Sequence, residues 1–307
     1  MNTQLVVGAG LIGRPLAERL AARGDTVTIA TRSGSAAQGA ATLVLDASDP
    51  AAFTRAATDV STIFLCTNPP YTDWARQWPP IIDAAIAAAS ATGARIVVMG
   101  NLYPYGSPTG PMTEHSPETT TESKGLIRRA AWAQVRAAHD AGRIQAVEVR
   151  ASDYFGPGAT GTAHLGESFF TAVLRSKTAR GVGTPRLVHS WSYLPDIVTT
   201  LIAAADHTGD WGRIWHVPSA TVSRTDIVGQ LNAHYGSHGK VAGYPQLMLR
   251  SLGVVNPMMH EVWASSYQFV VPYIIDSTET ERELAVVATP WNEALLATAE
   301  SYRGTIS

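Results

Sequence analysis

The sequence predicts an α/β protein built around a doubly wound parallel sheet, and three observations support this fold class. Short β-branched runs alternate with Ala-rich helical stretches through the first half of the chain. The strand candidates are continuous apolar runs, which is typical of strands buried on both faces. A glycine-rich loop joins the first strand candidate to the first helix candidate.

The strand candidates of this sheet are "QLVVGA", "TVTIAT", "ATLVLD", "STIFLCT", "ARIVVMG" and "IQAVEVRA". The first helix has Pro15 in its opening turn and Gly24 just beyond its end, the usual placement of these residue types around a helix. A later helix is expected to begin near the prolines of "QWPPIIDAAIAAAS". Another runs from "TTTESKG" to Gly142, and Thr119 and Glu122 have capping-box spacing at its start.

The alternation of strands and helices ends after "YFGPGATG". We expect "RLVHSWSY" and "IWHVPS" to be two further strands that return to the edge of the sheet. Mixed helices and turns, including the apolar stretch 244–276, follow and separate them. The sequence therefore predicts a first domain over 1–157 plus strands within about 186–218. A smaller, interleaved domain is predicted over 158–185 and 219–307.

Composition and charge exclude several function classes. The 307 residues carry a net charge of −2 with scattered basic residues, so no nucleic-acid or membrane partner is predicted. The N-terminus does not resemble a signal peptide, and no apolar run is long enough to span a bilayer. Cys66 is the only cysteine, which suits a reducing cytoplasm. No metal site is predicted, and Arg128 with Arg129 is expected on a solvated helix face.

The motif "VVGAGLIG" places Gly8, Gly10 and Gly13 in G-x-G-x-x-G spacing between the first strand and the first helix. Such glycines permit a tight turn, close approach of the backbone to a pyrophosphate, and close packing of helix on strand. Leu11 and Ile12 lie at the start of the helix, where free N–H groups favour phosphates. The loop therefore predicts a dinucleotide site.

The end of the second strand distinguishes between dinucleotides. A site for NAD(H) usually has an acidic residue there, which accepts a hydrogen bond from the ribose 2′-hydroxyl. This chain has "IATRSG", with Thr31 at the expected position of the acid, followed by Arg32 and Ser33. Because a guanidinium suits a 2′-phosphate, we predict that NADP(H) is preferred, with NAD(H) as the alternative. A solvated loop arginine is the other interpretation of Arg32.

Several separated motifs together resemble a known family, the extended short-chain dehydrogenase/reductases of the NAD-dependent epimerase/dehydratase group. They are "VVGAGLIG", the aspartate that ends the third strand, "VVMGNLYPYG", "SKG", "RASDYFGPG", "WSYLPDIV" and "IIDSTETEREL", in family order over nearly the whole chain. The resemblance implies a Rossmann-type domain that carries the dinucleotide, and a smaller C-terminal domain that shapes the substrate pocket.

By position in these motifs, the resemblance implies roles for individual residues. Asp46 would lie near the adenine, and Thr67 would pass beside the cofactor ribose. Lys124 matches the family lysine that bonds the nicotinamide ribose and lowers the pKa of a catalytic tyrosine. A charged surface position is the alternative for Lys124.

Two positions depart from the family pattern. Thr120 stands where the family has its acid–base tyrosine, and Asn101 stands where it has its catalytic serine. A threonine hydroxyl has no accessible ionisation, so Lys124 cannot make it a base near neutral pH. Loss of positioned acid–base catalysis costs about 10²–10⁴-fold in rate.

Other residues are candidates for the missing roles. Tyr103 follows the fifth strand and is a candidate acid–base group, while Asn101 is a candidate donor to a carbonyl oxygen. Asp153 stands where members that bind nucleotide sugars tend to have a substrate-touching asparagine, and its charge disfavours a diphosphate there. Tyr71 and Trp74 are candidates for the substrate mouth. Each has a structural alternative as a packing, turn or capping residue.

Two functions of different class follow. The first is an NADP(H)-dependent oxidoreductase of the epimerase/dehydratase type, acting on a small or medium organic carbonyl, alcohol or sugar-like substrate. The second is a non-catalytic NADP(H)-binding redox sensor or regulatory protein. Relatives often pair through helices that flank the sheet, so the resemblance also implies a homodimer as one option.

Overall fold

The computed structural model describes residues 2–159, 163–244, 261 and 263–304. Its strands, in chain order, are β1 (Thr3–Val7), β2 (Thr26–Thr31), β3 (Ala41–Val44), β4 (Thr62–Leu65), β5 (Arg95–Asn101), β6 (Ala146–Ala151), β7 (Asp153–Phe155), β8 (Thr178–Gly181), β9 (Val188–Tyr193), β10 (Ile214–His216), β11 (Ala220–Ser223) and β12 (Lys240–Gly243). Its α-helices are α1 (Gly13–Ala22), α2 (Pro50–Ala56), α3 (Trp74–Thr92), α4 (Ser123–Asp140), α5 (Glu167–Leu174), α6 (Leu194–Asp206), α7 (Arg224–Tyr235), α8 (Thr278–Leu284) and α9 (Trp291–Arg303).

A seven-stranded parallel sheet in the order β10-β6-β5-β4-β1-β2-β3 forms the centre of the protein. One apolar core packs α2, α3 and α4 against one face, and a second packs α1 and α6 against the other. Helices on both faces explain why the strands are continuous apolar runs. The predicted fold class is confirmed, and all six predicted strands of the first half lie in this sheet.

The two later strand candidates, "RLVHSWSY" and "IWHVPS", form β9 and β10, which lie in different sheets. β10 returns to the edge of the central sheet, beside β6, as expected. The prediction for β9 is wrong, because β9 pairs with β7 and β11 in a separate three-stranded sheet. β9 carries buried polar side chains, which need partners. Ser190 hydrogen-bonds Thr221 at 2.7 Å, and His189 hydrogen-bonds Asp153 at 2.8 Å, both across to neighbours in this smaller sheet.

Two helix starts also differ from expectation. α3 begins at Trp74, ahead of the prolines, because the buried Trp74 indole anchors the start by donating to the Pro69 carbonyl at 2.9 Å. α4 begins at Ser123, and Glu122 itself is the N-cap, accepting from the Gly125 N–H at 3.0 Å. Thr119 is therefore not the cap.

Most of the apolar stretch 244–276 that was expected to hold mixed helices and turns lies outside the described residues. A short two-stranded sheet of β8 and β12, together with α5, α7 and α9, surrounds a third apolar core. Over the described ranges, no helix combines the length and apolar character that crossing a membrane requires.

Candidate functional site

A cleft of about 890 Å³ opens at the carboxyl ends of the central strands, and its lining comes from the loops that follow β1, β2, β3, β4, β5 and β6. β1 lies between β2 and β4, so the winding of the chain reverses there. Ligands of doubly wound sheets bind outside the strand ends at this point. We call the part lined by the loop 8–12 with residues 31–33 and 46–48 the glycine end. The part lined by Tyr71, Asn101, Tyr103 and Asp153 is the aromatic end.

The glycine loop at one end has no room for side chains at two positions. Gly8 has φ +107°, and a Cβ there would lie 2.8 Å from the backbone of Cys66 and Thr67. A Cβ on Gly13 would lie 2.0 Å from the carbonyl oxygen of Gly8. These contacts fold the loop tightly against β4 and α1. Gly8, Gly10, Leu11 and Ile12 line the cleft, whereas Gly13 packs the loop from behind.

Arg32 lies at the mouth of the glycine end, next to Thr31 and Ser33. It is exposed and makes no ion pair within the described residues. Asp46 also lines this end and accepts hydrogen bonds from the Ser48 N–H at 2.9 Å and the Ser48 hydroxyl at 2.7 Å. These bonds, aided by the charge of Arg32, lower the pKa of Asp46.

Two tyrosines from different loops meet at the aromatic end. The hydroxyl oxygens of Tyr71, after β4, and Tyr103, after β5, are 3.3 Å apart. The buried Trp74 packs on both rings, with centroid distances of 5.0 Å to Tyr71 and 6.2 Å to Tyr103. The Asn101 side-chain oxygen accepts from the Tyr103 N–H at 3.1 Å and so fixes the start of this turn.

Burial raises the pKa of both tyrosines, but their mutual hydrogen bond acts on them in opposite directions. For Tyr103, burial and the neighbouring Tyr71 and Asp153 raise the pKa well above the ordinary value. For Tyr71, the raised pKa is offset in part by the hydrogen bond from Tyr103. Either hydroxyl can be the donor, and with Tyr103 as the donor the bond lowers the pKa of Tyr71 and raises that of Tyr103.

Lys124 lies behind the aromatic end, and the surface alternative for it is wrong, since only 2 % of the residue is exposed. Its ammonium donates to the Glu261 carbonyl at 2.7 Å and pairs with the Glu261 carboxylate at 3.0 Å. The same nitrogen is 5.1 Å from the ring centroid of Tyr71 and 6.0 Å from that of Tyr103. Lys124 is not among the residues that line the cleft.

Thr120 and Arg128 flank Lys124 in different ways. Thr120 is buried, and its hydroxyl oxygen lies 3.4 Å from the Glu122 N–H at the start of α4. The predicted solvated face at Arg128 is wrong, because this side chain is 2 % exposed. Its guanidinium donates to the Met99 carbonyl at 2.6 Å, lies 3.6 Å from Glu148 and stacks 4.2 Å above Trp78. Burial lowers the pKa of Arg128 to about 10.

Asp153 presents a carboxylate to the aromatic end, and a buried histidine holds it. His189 Nε2 is 2.8 Å from Asp153 Oδ2, and the imidazole stacks on Phe269 with centroids 4.8 Å apart and an interplanar angle of 8°. Burial alone would raise the pKa of Asp153, but the hydrogen bond and charge of His189 outweigh it and lower the pKa. Asp153 is therefore a fixed negative charge in the cleft.

Sequence reasoning missed His189. It lies in an unremarkable alternating strand, 36 positions after Asp153, and only the parallel pairing of β7 with β9 brings the two together. His189 Nδ1 is buried and has no hydrogen-bond partner within the described ranges. A proton on that nitrogen would be an unpaired buried donor, so Nε2 is the nitrogen that we assign as the donor to Asp153.

The cleft brings most of the predicted residues together. Those that line it are Gly8, Gly10, Leu11, Ile12, Thr31, Arg32, Ser33, Asp46, Thr67, Tyr71, Trp74, Asn101, Tyr103 and Asp153. Gly13 and Lys124 lie directly behind its walls. Among the residues that the structure describes, no three His, Cys, Asp or Glu side chains are grouped as a metal site would require.

Comparison with solved structures supports the architecture. UDP-glucuronic acid 4-epimerase from Bacillus cereus, solved with UDP-glucuronic acid and NAD, is 14% identical with a TM-score of 0.79, covering 99% of each chain. The dTDP-glucose 4,6-dehydratase DesIV from Streptomyces venezuelae, solved with NAD, is 19% identical with a TM-score of 0.76, covering 99% of this chain and 97% of that one. At these identities the likeness shows the fold.

Comparison of sequences goes further. A dTDP-6-deoxy-L-talose 4-dehydrogenase (NAD(P)(+)) from Kitasatospora kifunensis is 30% identical over 222 residues, which is 66% of this chain and 69% of the relative. Residues 4–217 match the family described as NAD dependent epimerase/dehydratase. This range contains the glycine loop, Lys124 and Asp153, and it supports a nicotinamide cofactor for the cleft. The chain belongs to the NAD dependent epimerase/dehydratase family.

Proposed function

We propose that this protein is an NADP(H)-dependent oxidoreductase that interconverts a carbonyl and an alcohol on a sugar-like substrate. The observation that carries the proposal is the set of residues that line the cleft at the carboxyl ends of the central strands. Its glycine end offers a phosphate-binding loop and an exposed guanidinium, and its aromatic end offers hydroxyl, amide and carboxylate groups for a polar substrate.

The residues of the glycine end fit a dinucleotide. A Cβ at Gly8 or Gly13 would collide with backbone, so the loop is compact, while nothing lies within 4 Å of a Cβ on Gly10, which faces open space. α1 begins at Gly13 and directs its first N–H groups toward the same region. When bound, the cofactor would accept or supply a hydride at its nicotinamide ring.

The preference for NADP(H) over NAD(H) is proposed from charge. Arg32 is exposed at the cleft mouth and makes no ion pair within the described ranges. Thr31 stands where an NAD(H) site would have an acidic residue that accepts a hydrogen bond from the ribose 2′-hydroxyl. A charge-assisted hydrogen bond to a 2′-phosphate contributes roughly 1.5–3 kcal/mol. Thr67 and Asp46 are proposed to contact the ribose and the adenine.

At the aromatic end, we propose that Asn101 donates a hydrogen bond to the substrate carbonyl. We assign the acid–base role to the phenols near Lys124, which include Tyr103. Thr120, buried at the start of α4, does not replace a phenol. Tyr71, Trp74 and Asp153 are proposed to contact the substrate, which lies between the first domain and the smaller interleaved one.

A nucleotide sugar is the proposed substrate class, because the relatives named above act on or bind dTDP- and UDP-linked sugars. Asp153 is proposed to face sugar hydroxyls, since its negative charge disfavours a diphosphate or a carboxylate beside it. We also propose a homodimer through helices that flank the sheet.

Two measurements test the function. Calorimetric titration with NADPH and NADH should give tighter binding of NADPH, and equal or tighter binding of NADH would overturn the preference. NADPH oxidation should then be followed with a panel of carbonyls, namely a dTDP-4-keto-6-deoxysugar, nitrobenzaldehyde and phenanthrenequinone. Turnover of the keto sugar would support the proposal.

The same panel distinguishes the second candidate, a non-catalytic NADP(H) sensor. Lys124 is engaged by the Glu261 carboxylate rather than directed into the cleft, an arrangement that favours binding without catalysis. Tight NADPH binding with no turnover of any carbonyl would overturn the oxidoreductase and support the sensor.

A further inference from the structure

The aromatic end contains two phenols that share one hydrogen bond, although the family tyrosine is replaced by Thr120. Tyr71 and Tyr103 come from loops after different strands, yet their hydroxyl oxygens are 3.3 Å apart and both side chains line the cleft. A hydrogen-bonded pair of this kind commits one phenol as donor and leaves the proton of the other available.

The direction of the hydrogen bond assigns the two roles. Either hydroxyl can be the donor, and we assign this role to Tyr103, because Lys124 lies nearer to Tyr71 and because a bond in this direction lowers the pKa of Tyr71 and raises that of Tyr103. The Tyr71 O–H is therefore not used within the pair. Trp74 packs on both rings and keeps their relative orientation fixed.

Lys124 supplies a nearby positive charge. Its Nζ lies 5.1 Å from the Tyr71 ring centroid and 6.0 Å from that of Tyr103, so it is closer to Tyr71. This positive charge beside the ring offsets part of the repulsion that the Glu122 and Glu261 carboxylates exert on a transient Tyr71 phenolate. Lys124, which matches the family lysine, therefore still lies beside a phenol, but this phenol is Tyr71 in the loop after β4.

We propose that Tyr71 is the proton donor of this site and that Tyr103 is a positioning residue that holds its hydroxyl; the inference rests on the proposed function. In the reductive direction, NADPH would supply one hydride, which carries both electrons, to the carbonyl carbon, and the carbonyl oxygen takes the Tyr71 proton. The products are the alcohol, NADP⁺ and a Tyr71 phenolate, which regains a proton from solvent.

The proposal requires Tyr71 to hold its proton near neutral pH. Burial keeps it a neutral phenol there, because its pKa is raised above the ordinary 10. A neutral phenol is the protonation state that a proton donor needs. The titratable groups that face Tyr71 are Tyr103, Glu122, Lys124, Asp153, Tyr154 and Glu261.

The test compares three Tyr→Phe variants on the panel carbonyl that gives the fastest NADPH oxidation. Tyr71→Phe should lower kcat by about 100-fold or more, as loss of a positioned acid does, with KM and the Kd for NADPH within about threefold of wild type. Tyr103→Phe should lower kcat by about three- to tenfold. Tyr235→Phe, whose hydroxyl bonds Glu300 on the surface, is the matched control.

Two further readouts separate catalysis from structure. The wild-type rate should stay level up to about pH 10 and then fall, and Tyr103→Phe should move that fall to higher pH, because it removes the bond that lowers the pKa of Tyr71. If circular dichroism shows that Tyr71→Phe does not fold, the pH–rate profile of Tyr103→Phe becomes the deciding measurement. A Tyr103→Phe profile identical to that of wild type overturns the proposal.

Three outcomes are distinguishable. If the wild type turns over and Tyr71→Phe keeps kcat within about threefold of it, Tyr71 is not the proton donor, while the proposed oxidoreductase function is retained. An equal loss in Tyr71→Phe and Tyr103→Phe overturns the division of roles. Wild-type NADPH binding without any turnover overturns the proposed function, and the donor with it.

Discussion

The two ends of the cleft differ in how they are built. The glycine end is made by one local segment, in which Gly8 and Gly13 close a tight loop between β1 and α1. The aromatic end is assembled from separate segments, since Tyr71 follows β4, Asn101 ends β5 and Asp153 begins β7, with Lys124 on α4 directly behind them. The glycine loop has its G-x-G-x-x-G spacing within one short segment, whereas at the second end the resemblance to the family implies departures at Asn101 and Thr120. Under the proposed function, the cofactor site depends on local sequence and the chemistry beside it depends on contacts between distant segments.

Replacing glycines of the loop should have the largest effect on NADPH binding, and the two replacements should differ in their effect on stability. Gly13→Ala forces a Cβ to 2.0 Å from the Gly8 carbonyl oxygen, so it should cost about 1–3 kcal/mol of stability and abolish NADPH binding. Gly10→Ala meets nothing within 4 Å, so the fold should be unchanged while NADPH affinity falls at least about tenfold. Thermal unfolding and calorimetry measure both. Normal NADPH binding by Gly10→Ala would contradict the assignment of this loop to the pyrophosphate.

Removing the guanidinium at the cleft mouth should have the next largest effect and sharpen the comparison. Arg32→Ala should weaken NADPH by about 10–100-fold and leave NADH within about twofold, because only NADPH carries the 2′-phosphate. Arg143→Ala, an exposed arginine that does not line the cleft, is the control for loss of charge. A parallel loss for both cofactors on titration would assign Arg32 a structural role.

The third prediction concerns a buried histidine on β10 that does not line the cleft. His216 bonds the Tyr105 hydroxyl and the Asp276 carbonyl, each at 2.8 Å, and burial lowers its pKa to about 3, despite the opposing hydrogen bond to Asp276. Below pH 6.5, the ordinary pKa of histidine, His216 binds a proton in the unfolded chain but not in the folded protein. Stability should therefore fall with decreasing pH by up to about 1.4 kcal/mol per unit between pH 6 and 4.

Urea unfolding at a series of pH values measures this slope. His216→Gln should be less stable overall but lose that part of the pH dependence, since it cannot bind the extra proton. His234→Gln, at an exposed position on α7, should keep the wild-type slope. Identical slopes for wild type and His216→Gln would show that other groups dominate acid unfolding.

Sequence reasoning reached the parts of this protein that are encoded locally. The six strands, the glycine loop and the place of Thr31 and Arg32 follow from short windows with a defined periodicity or spacing. The contact of His189 with Asp153 and the burial of Arg128 depend on packing between segments far apart in the chain. No local pattern encodes such contacts, and a buried guanidinium beside a buried carboxylate looks, in sequence, like any helix-surface arginine.

The path of the chain between the two sheets has a consequence for cutting the protein into fragments. A piece ending at 157 would lack β10, the edge strand of the seven-stranded sheet, because that strand comes from Ile214–His216. The complementary piece would lack β7, which β9 requires as its parallel neighbour. Each piece would lack a strand that the other supplies, so we expect neither of them to fold on its own, although both ends of the cleft lie in the first piece.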